Sequence, residues 1–248
     1  YSDKAARIGL RVGDILDRFE EKYAALKARH EQILKDLHYT DYDITDEEKL
    51  WLEGVEYLRG FHLTDTEIEI NRYLKEGKNV LAEGAQGTML DIDHGTYPFV
   101  TSSSTVASSA AAGSGVGPSA LERVVGIVKA YTTRVGSGPF PTELEDDTGR
   151  YIQTNGHEFG ATTGRPRRVG GFDVVASRYG VKMQGCTSIA LTKLDVLSYL
   201  DKIPVCVAYD IDGERVDRFP IGVKLAKAKP IYEYLPGFHC DISGCRTI

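Results

Sequence analysis

Asn79-Val80-Leu81-Ala82-Glu83-Gly84-Ala85-Gln86-Gly87 decides the fold class. Residues 79–83 predict a short buried strand that runs directly into a glycine-bearing loop. Open α/β sheets place their ligand crevices at such junctions. On either side the chemistry changes abruptly. Residues 1–78 hold 31 charged side chains, whereas residues 79–142 hold 7, with 24 Gly, Ser or Thr among them.

Upstream, Val12, Ile15, Leu16, Phe19, Tyr23, Leu26, Ile33 and Leu37 recur at steps of three and four, one apolar stripe on a long helix. Thr45 with Glu48 and Thr64 with Glu67 form two capping-box patterns, with helices expected to end near Gly60 and Gly77. Residues 1–78 are therefore expected to be helical, and 79–248 an α/β part of the same domain. Downstream, a hydroxyl-rich loop spans 96–117, a helix is expected from Pro118 to about Lys129, and a strand over 130–135. Residues 172–184 are expected to be helical, 187–192 a strand and 195–200 a short helix. Asp212-Gly213 between 205–209 and 214–219 is a hairpin signal. Alternating helices and apolar strands predict an α/β fold around a mainly parallel sheet.

Composition narrows the function. At 248 residues, 42% hydrophobic and 27% charged, the chain is a folded protein long enough for a full core. No apolar run reaches the ~18 residues of a membrane span, and there is no signal-like start. The net charge of −6 argues against general nucleic-acid binding while leaving room for a local basic site. Cys186, Cys206, Cys240 and Cys245 are too sparse for a disulfide scaffold. The spacing of Cys240 and Cys245, with no second pair, does not predict zinc. A reduced, cytoplasmic protein is expected.

Three segments hold candidate chemistry. Ala190-Leu191-Thr192-Lys193-Leu194-Asp195 is an apolar strand ending in Thr-Lys-x-Asp. One carboxylate can accept both adjacent donors of guanine, N1–H and the exocyclic amine, while a lysine stem lies along the base. The alternative is an Asp that merely caps the next helix. Phe159-Gly160-Ala161-Thr162-Thr163-Gly164-Arg165-Pro166-Arg167-Arg168 gathers three arginines with threonines and glycines. That suits a dianionic small molecule, or else is a solvated basic turn. Glu83-Gly84-Ala85-Gln86-Gly87-Thr88-Met89-Leu90-Asp91-Ile92-Asp93-His94-Gly95-Thr96-Tyr97-Pro98, continuing to Val100-Thr101-Ser102-Ser103, is the third. The Gln86 amide both donates and accepts, as a neutral base edge requires, and the hydroxyls around Thr101 suit a phosphate. His94 is open to a chemical or a structural role.

Residues 83–103, together with Thr132-x-Arg134-Val135-Gly136, Gly138-Pro139-Phe140-Pro141-Thr142-Glu143-Leu144, the loop 158–168, residues 191–196 and the opening Tyr1-x-Asp3-Lys4-Ala5-Ala6-Arg7-Ile8-Gly9-Leu10-Arg11-Val12, resemble the adenylosuccinate synthetase family over nearly the whole chain. The resemblance implies a P-loop-NTPase-like, GTP-dependent ligase. It joins IMP to L-aspartate in purine nucleotide biosynthesis, giving adenylosuccinate, GDP and phosphate through a 6-phosphoryl-IMP intermediate. It further implies Mg²⁺, a cytoplasmic homodimer, and neither nucleic-acid nor membrane partners. By the same resemblance, Gln86, Thr101, Val135 and Arg165 would bind IMP, and Arg7 would reach the partner subunit's IMP. Ala161, Thr162, Thr163, Gly164, Arg165, Pro166 and Arg167 would form the aspartate loop. Arg167, Lys193, Leu194 and Asp195 would bind GTP, and His94 is not the family's catalytic histidine.

Departures from the family pattern are also expected. The N-terminal phosphate loop, with the catalytic Asp and His and the Mg²⁺ ligands, and the C-terminal segment that closes over guanine are absent from the chain. A nucleotide- and aspartate-binding fragment without turnover is the alternative. Gly171 stands where tryptophan is expected, loosening the packing behind the arginine loop, and Ser104 where asparagine is common.

Overall fold

The computed structural model describes residues 1–161 and 164–245. The chain divides into two compact units, Tyr1–Lys78 and Asn79–Ile248.

The first unit contains α1 (Ser2–Ala6), α2 (Asp14–Asp17), α3 (Phe19–Asp36), α4 (Thr45–Arg59) and α5 (Thr66–Lys75). The apolar stripe predicted as one helix breaks at Arg18, whose φ of −128° separates α2 from α3. Ile15, Phe19 and Val55 form its core, against Leu10, Tyr23 and Leu52. Tyr23 stacks on Phe19 and on Trp51, with centroids 5.6 and 5.1 Å apart. Neither capping box forms. Glu48 instead takes the Lys27 ammonium at 2.6 and 2.8 Å and the Tyr23 hydroxyl. A charge-assisted contact between helices thus displaces a local one. Asp43 accepts the Thr45 amide at 3.0 Å, and Asp65 occupies the N-cap of α5.

The second unit is mixed α/β: α6 (Ser108–Ser114), β1 (Val125–Lys129), β2 (Thr132–Arg134), α7 (Asp147–Asn155), β3 (Arg168–Gly170), β4 (Phe172–Asp173), α8 (Val174–Gln184), β5 (Ser188–Thr192), β6 (Lys202–Ile211), β7 (Glu214–Val216), α9 (Val223–Lys227) and β8 (Lys229–Pro236). β1 pairs with β5 and β4 with β6, both in parallel. The predicted hairpin through Asp212-Gly213 joins β6 to β7, and β8 returns antiparallel along β6. β2 pairs antiparallel with β3. One core cluster gathers Ala130, Tyr131, Ile152, Val169, Val196, Leu197 and Ile203. A second holds Val175, Cys206, Tyr209 and Ile211. There the Asp173 carboxylate caps α8 through the Ala176 amide at 2.9 Å and accepts the Tyr209 hydroxyl at 2.5 Å. Burial raises the Asp173 carboxyl and pushes the neighbouring Cys206 thiol up to about 12.

Three further expectations are corrected. Residues 79–83 are not a strand: Leu81 is 94% exposed, and among the described residues none pairs with this segment. A strand needs a ladder partner, whatever its apolar content. The helix expected from Pro118 to Lys129 is a single 3₁₀ turn, Pro118–Ala120, followed by β1. The β-branched residues Val125, Ile127 and Val128 take a ladder on β5 instead. Nor is the packing loose at Gly171. A Cβ there would meet the Pro204 carbonyl oxygen and Tyr232 Cε1, each at 3.0 Å, so these groups already fill the space a tryptophan would need.

Candidate functional site

The hydroxyl loop is built around Asp91. Its carboxylate is fully buried and accepts four backbone amides, from Asp93 (2.9 Å), His94 (3.0 Å), Thr105 (2.6 Å) and Val106 (3.1 Å). Burial alone would raise the carboxyl; the four amides outweigh it and hold it below its usual value of 3.8. Thr101 is fixed beside it. Its amide donates to the Leu90 carbonyl at 2.9 Å, and its hydroxyl lies 2.7 Å from that of Ser103. Gln86 is exposed, in a left-handed turn at φ 64°, and the Thr105 hydroxyl donates to the adjacent Gly87 carbonyl at 2.8 Å. Gln184 of α8 clamps the loop from outside, donating to the Thr88 hydroxyl at 2.8 Å and accepting the Ala107 amide at 2.7 Å. His94 contributes its backbone, its carbonyl taking the Tyr179 hydroxyl at 2.8 Å. This fits the structural role.

Because the folded Asp91 carboxyl sits low, its stabilisation is present above the unfolded value near pH 4 and is lost as pH falls through the folded one. Asp91→Ala, which strands four amides, is expected to cost about 3 kcal/mol. Asp91→Asn should flatten the acid limb of the stability profile below about pH 4. Thermal unfolding as a function of pH measures both, and an unchanged acid limb in Asp91→Asn would remove this carboxylate from the account.

Arg134, at the end of β2, joins this loop to the next segment. Only 9% exposed, it donates to the Thr96 hydroxyl at 3.0 Å, the Phe99 carbonyl at 3.3 Å and the Ser137 carbonyl at 3.1 Å. Val135 beside it is exposed. Arg168 continues the chain of contacts. It grips both Glu143 oxygens, donates to the carbonyls of Gly138 (2.9 Å) and Gly136 (3.2 Å), and lies over the Phe140 ring. Of the three arginines predicted to grip an anion, Arg168 is thus a brace.

The arginine loop closes on itself. The Gly160 amide donates to the Arg165 carbonyl at 2.8 Å, the Gly164 amide to the Gly160 carbonyl at 2.8 Å, and Phe159 bridges Pro166. Gly164 supplies a positive φ of 64°. Ala161 and Arg165 are exposed, and Thr162 and Thr163 lie outside the described residues. Behind the loop sits Glu158, 1% exposed. It accepts Lys129 Nζ at 2.8 and 2.9 Å, the Tyr131 hydroxyl at 2.6 Å and Arg167 Nη1 at 3.0 Å. Burial would raise its carboxyl, but these donors hold it low; the Tyr131 hydroxyl is pushed up by burial and by Glu158.

At the end of β5, Lys193 adopts a left-handed conformation, φ 61°, and its ammonium donates to the Gly156 carbonyl at 3.1 Å. Leu194 and Asp195 open a 3₁₀ turn, Leu194–Leu197, whose N-cap is Lys193 and which no side chain caps. The helix-capping alternative for Asp195 is therefore set aside. Hydrogen bonds thus connect the hydroxyl loop, the turn after β2, the arginine loop and the Lys193 strand end. Arg7 belongs to the first unit, where it ends α1 at φ 62° with its guanidinium on the Ala5 carbonyl at 2.8 Å. Asp91, Arg134, Glu158 and Gln184 were not assigned roles from sequence. Asp91 and Glu158 could have been noticed as acids inside otherwise glycine- and hydroxyl-rich motifs. Among the described residues no cluster of three His, Cys, Asp or Glu offers a metal site, and Cys240 and Cys245 are exposed.

Fold and site together define a mixed α/β protein whose hydroxyl loop, arginine loop and Lys193 strand end are tied together by hydrogen bonds. The family model for adenylosuccinate synthetase matches residues 1–248, and the chain belongs to that family. It is 57% identical over 243 residues to adenylosuccinate synthetase of Bacteroides thetaiotaomicron, covering 98% of this chain and 57% of the relative. It is 50% identical over 252 residues to that of Streptococcus gordonii, covering 100% and 58%. The chain therefore spans little more than half the length of these relatives. A solved structure of fully ligated adenylosuccinate synthetase from Plasmodium falciparum superimposes with a TM-score of 0.90 at 40% identity, covering 99% of this chain and 58% of that one. Among the described residues no helix is long and apolar enough to cross a membrane.

Proposed function

We propose that this chain forms the central part of a GTP-dependent, cytoplasmic ligase that joins L-aspartate to IMP. Hypoxanthine, losing its N1 proton, attacks the γ-phosphoryl of GTP through its 6-oxygen, releasing GDP. The aspartate amine then attacks C6 of 6-phosphoryl-IMP, loses a proton and expels phosphate, giving adenylosuccinate. Such transfers depend on positioning and charge neutralisation more than on covalent help. Gln86 would face the base, Thr101 the IMP phosphate and Val135 the ribose. Arg165 would contact IMP and aspartate, and Arg167 aspartate and GTP, within the loop 161–167. Lys193, Leu194 and Asp195 would hold guanine. Mg²⁺ would neutralise the transferring phosphoryl group; the described residues offer no ligand cluster for it.

One observation supports this reading above the others: the segments assigned to IMP, aspartate and guanine are neighbours in a single hydrogen-bond network, through Arg134, Arg168, Glu158 and Lys193. GTP-dependent adenylosuccinate formation, followed on a sample of verified intact mass, tests it. Ligand binding without product would favour the binding fragment without turnover; neither binding nor product would sink the proposal.

Dimerisation enters through Arg7, proposed to reach the partner's IMP. Arg7→Leu should impair IMP use with the fold intact. Mixed with Arg165→Leu subunits, it should recover up to about a quarter of wild-type activity, since half the random dimers would be mixed, each with one intact site. No recovery on verified subunit exchange would show that the site is not shared.

A further inference from the structure

We infer that Glu158 is a positioning residue that sets Arg167 for its ligands and ties it to the guanine-reading strand end. The inference rests on the ligand assignments proposed above for its consequences, but not for its geometry. Glu158 meets two cations, Lys129 and Arg167, whose side chains keep 28% and 33% exposure while the carboxylate keeps 1%. The acid is thus a buried anchor beneath two half-open cations, and one negative charge against two positive ones leaves the surface above it net positive. Such a surface attracts an anion. Arg167 spends Nη1 on Glu158, and among the described residues its other fork donors are left for a ligand.

The backbone is held as firmly as the head group. The Arg167 amide donates to the Glu158 carbonyl at 2.8 Å, and Gln153 Nε2 donates to the Arg167 carbonyl at 2.6 Å. Two residues before Glu158, the Gly156 carbonyl accepts Lys193 Nζ. Gly156 in turn packs against Tyr131: a Cβ there would lie 2.3 Å from the hydroxyl that Tyr131 gives to Glu158. Three residues, Gly156 to Glu158, therefore fix both the arginine of the anion loop and the lysine of the base-reading strand. A merely structural carboxylate would need its partners only to neutralise burial. Here one partner lies in the loop assigned to substrate.

The test follows the Arg167 guanidinium in the full chain by ¹⁵N relaxation of its Nε–H, alongside calorimetric titration of L-aspartate in the presence of IMP and GDP. Arg168, braced independently by Glu143, is the internal control. In Glu158→Asp, which keeps the charge and shortens the arm, Arg167 should fall from an order parameter of about 0.8 to below about 0.6, with Arg168 unchanged. Aspartate affinity should fall at least tenfold, and adding Arg167→Lys should weaken it no further than Arg167→Lys alone. Glu158→Gln should act likewise; if it does not fold, Glu158→Asp decides. An equally ordered Arg167 in Glu158→Asp, or aspartate losses that add, would overturn the inference. If Arg167 loosens but the wild-type chain binds no aspartate, the positioning stands and the proposed ligand assignment fails.

Discussion

Replacing Asp195 with asparagine should exchange guanine for xanthine: GTP binding falls by about 10²–10³-fold, and xanthosine triphosphate becomes the preferred donor. Guanine presents two adjacent donors, and an ionised carboxylate accepts both through charge-assisted bonds. The asparagine amide keeps one acceptor but turns its other edge into a donor, which opposes the exocyclic amine and matches the 2-oxygen of xanthine. Asp195 is suitably placed for this. It sits just past the strand end, one residue inside a 3₁₀ turn that no side chain caps. Its position two residues from Lys193, whose ammonium is anchored on the Gly156 carbonyl, would keep a bound base plane and the carboxylate in register. Titration of the wild type and of Asp195→Asn with both nucleotides measures the exchange. Equal GTP affinity in the two proteins would remove the carboxylate from base reading.

The second large effect is expected at Arg165. Arg165→Leu should raise the KM for aspartate by about 10²-fold or more, because a carboxylate that loses a bidentate fork is left desolvated and unmatched. The neighbouring Arg168 is the control that separates substrate binding from packing. Its guanidinium is spent on Glu143 and on the Gly136 and Gly138 carbonyls. Arg168→Leu should therefore lower thermal stability, and its effect on aspartate kinetics should follow that loss. Normal aspartate kinetics in Arg165→Leu would place the amino-acid site elsewhere.

How much of this was legible in the sequence depends on which interactions decide each element. The helices of the first unit follow a local repeat of three and four residues, so their existence was readable. Their capping was not: Glu48 answers to Lys27 and Tyr23 on another helix, and no local motif records that. Residues 79–83 read as a strand because apolar content is local, while ladder partners are not. β1 was hidden for the opposite reason, a helix-starting proline close to a β-branched run that found β5 about 60 residues away. The candidate site was legible where a segment bears its own chemistry, as in the arginine loop and the Thr-Lys-x-Asp strand end. The supporting residues were not, since Asp91, Arg134 and Glu158 have meaning only through the backbones and cations that surround them.

Arg134 has an electrical consequence. Its guanidinium is buried among a hydroxyl and carbonyls, and among the described residues no carboxylate pairs with it. Its charge is therefore not cancelled locally. Nor is it deprotonated near neutral pH, since burial and the nearby Arg168 lower its pKa only from the top of the scale. A permanent positive potential thus underlies the hydroxyl loop at Thr96 and Phe99, and it would draw the phosphate proposed for Thr101 before any direct bond forms. Part of that attraction should survive the loss of any single hydroxyl.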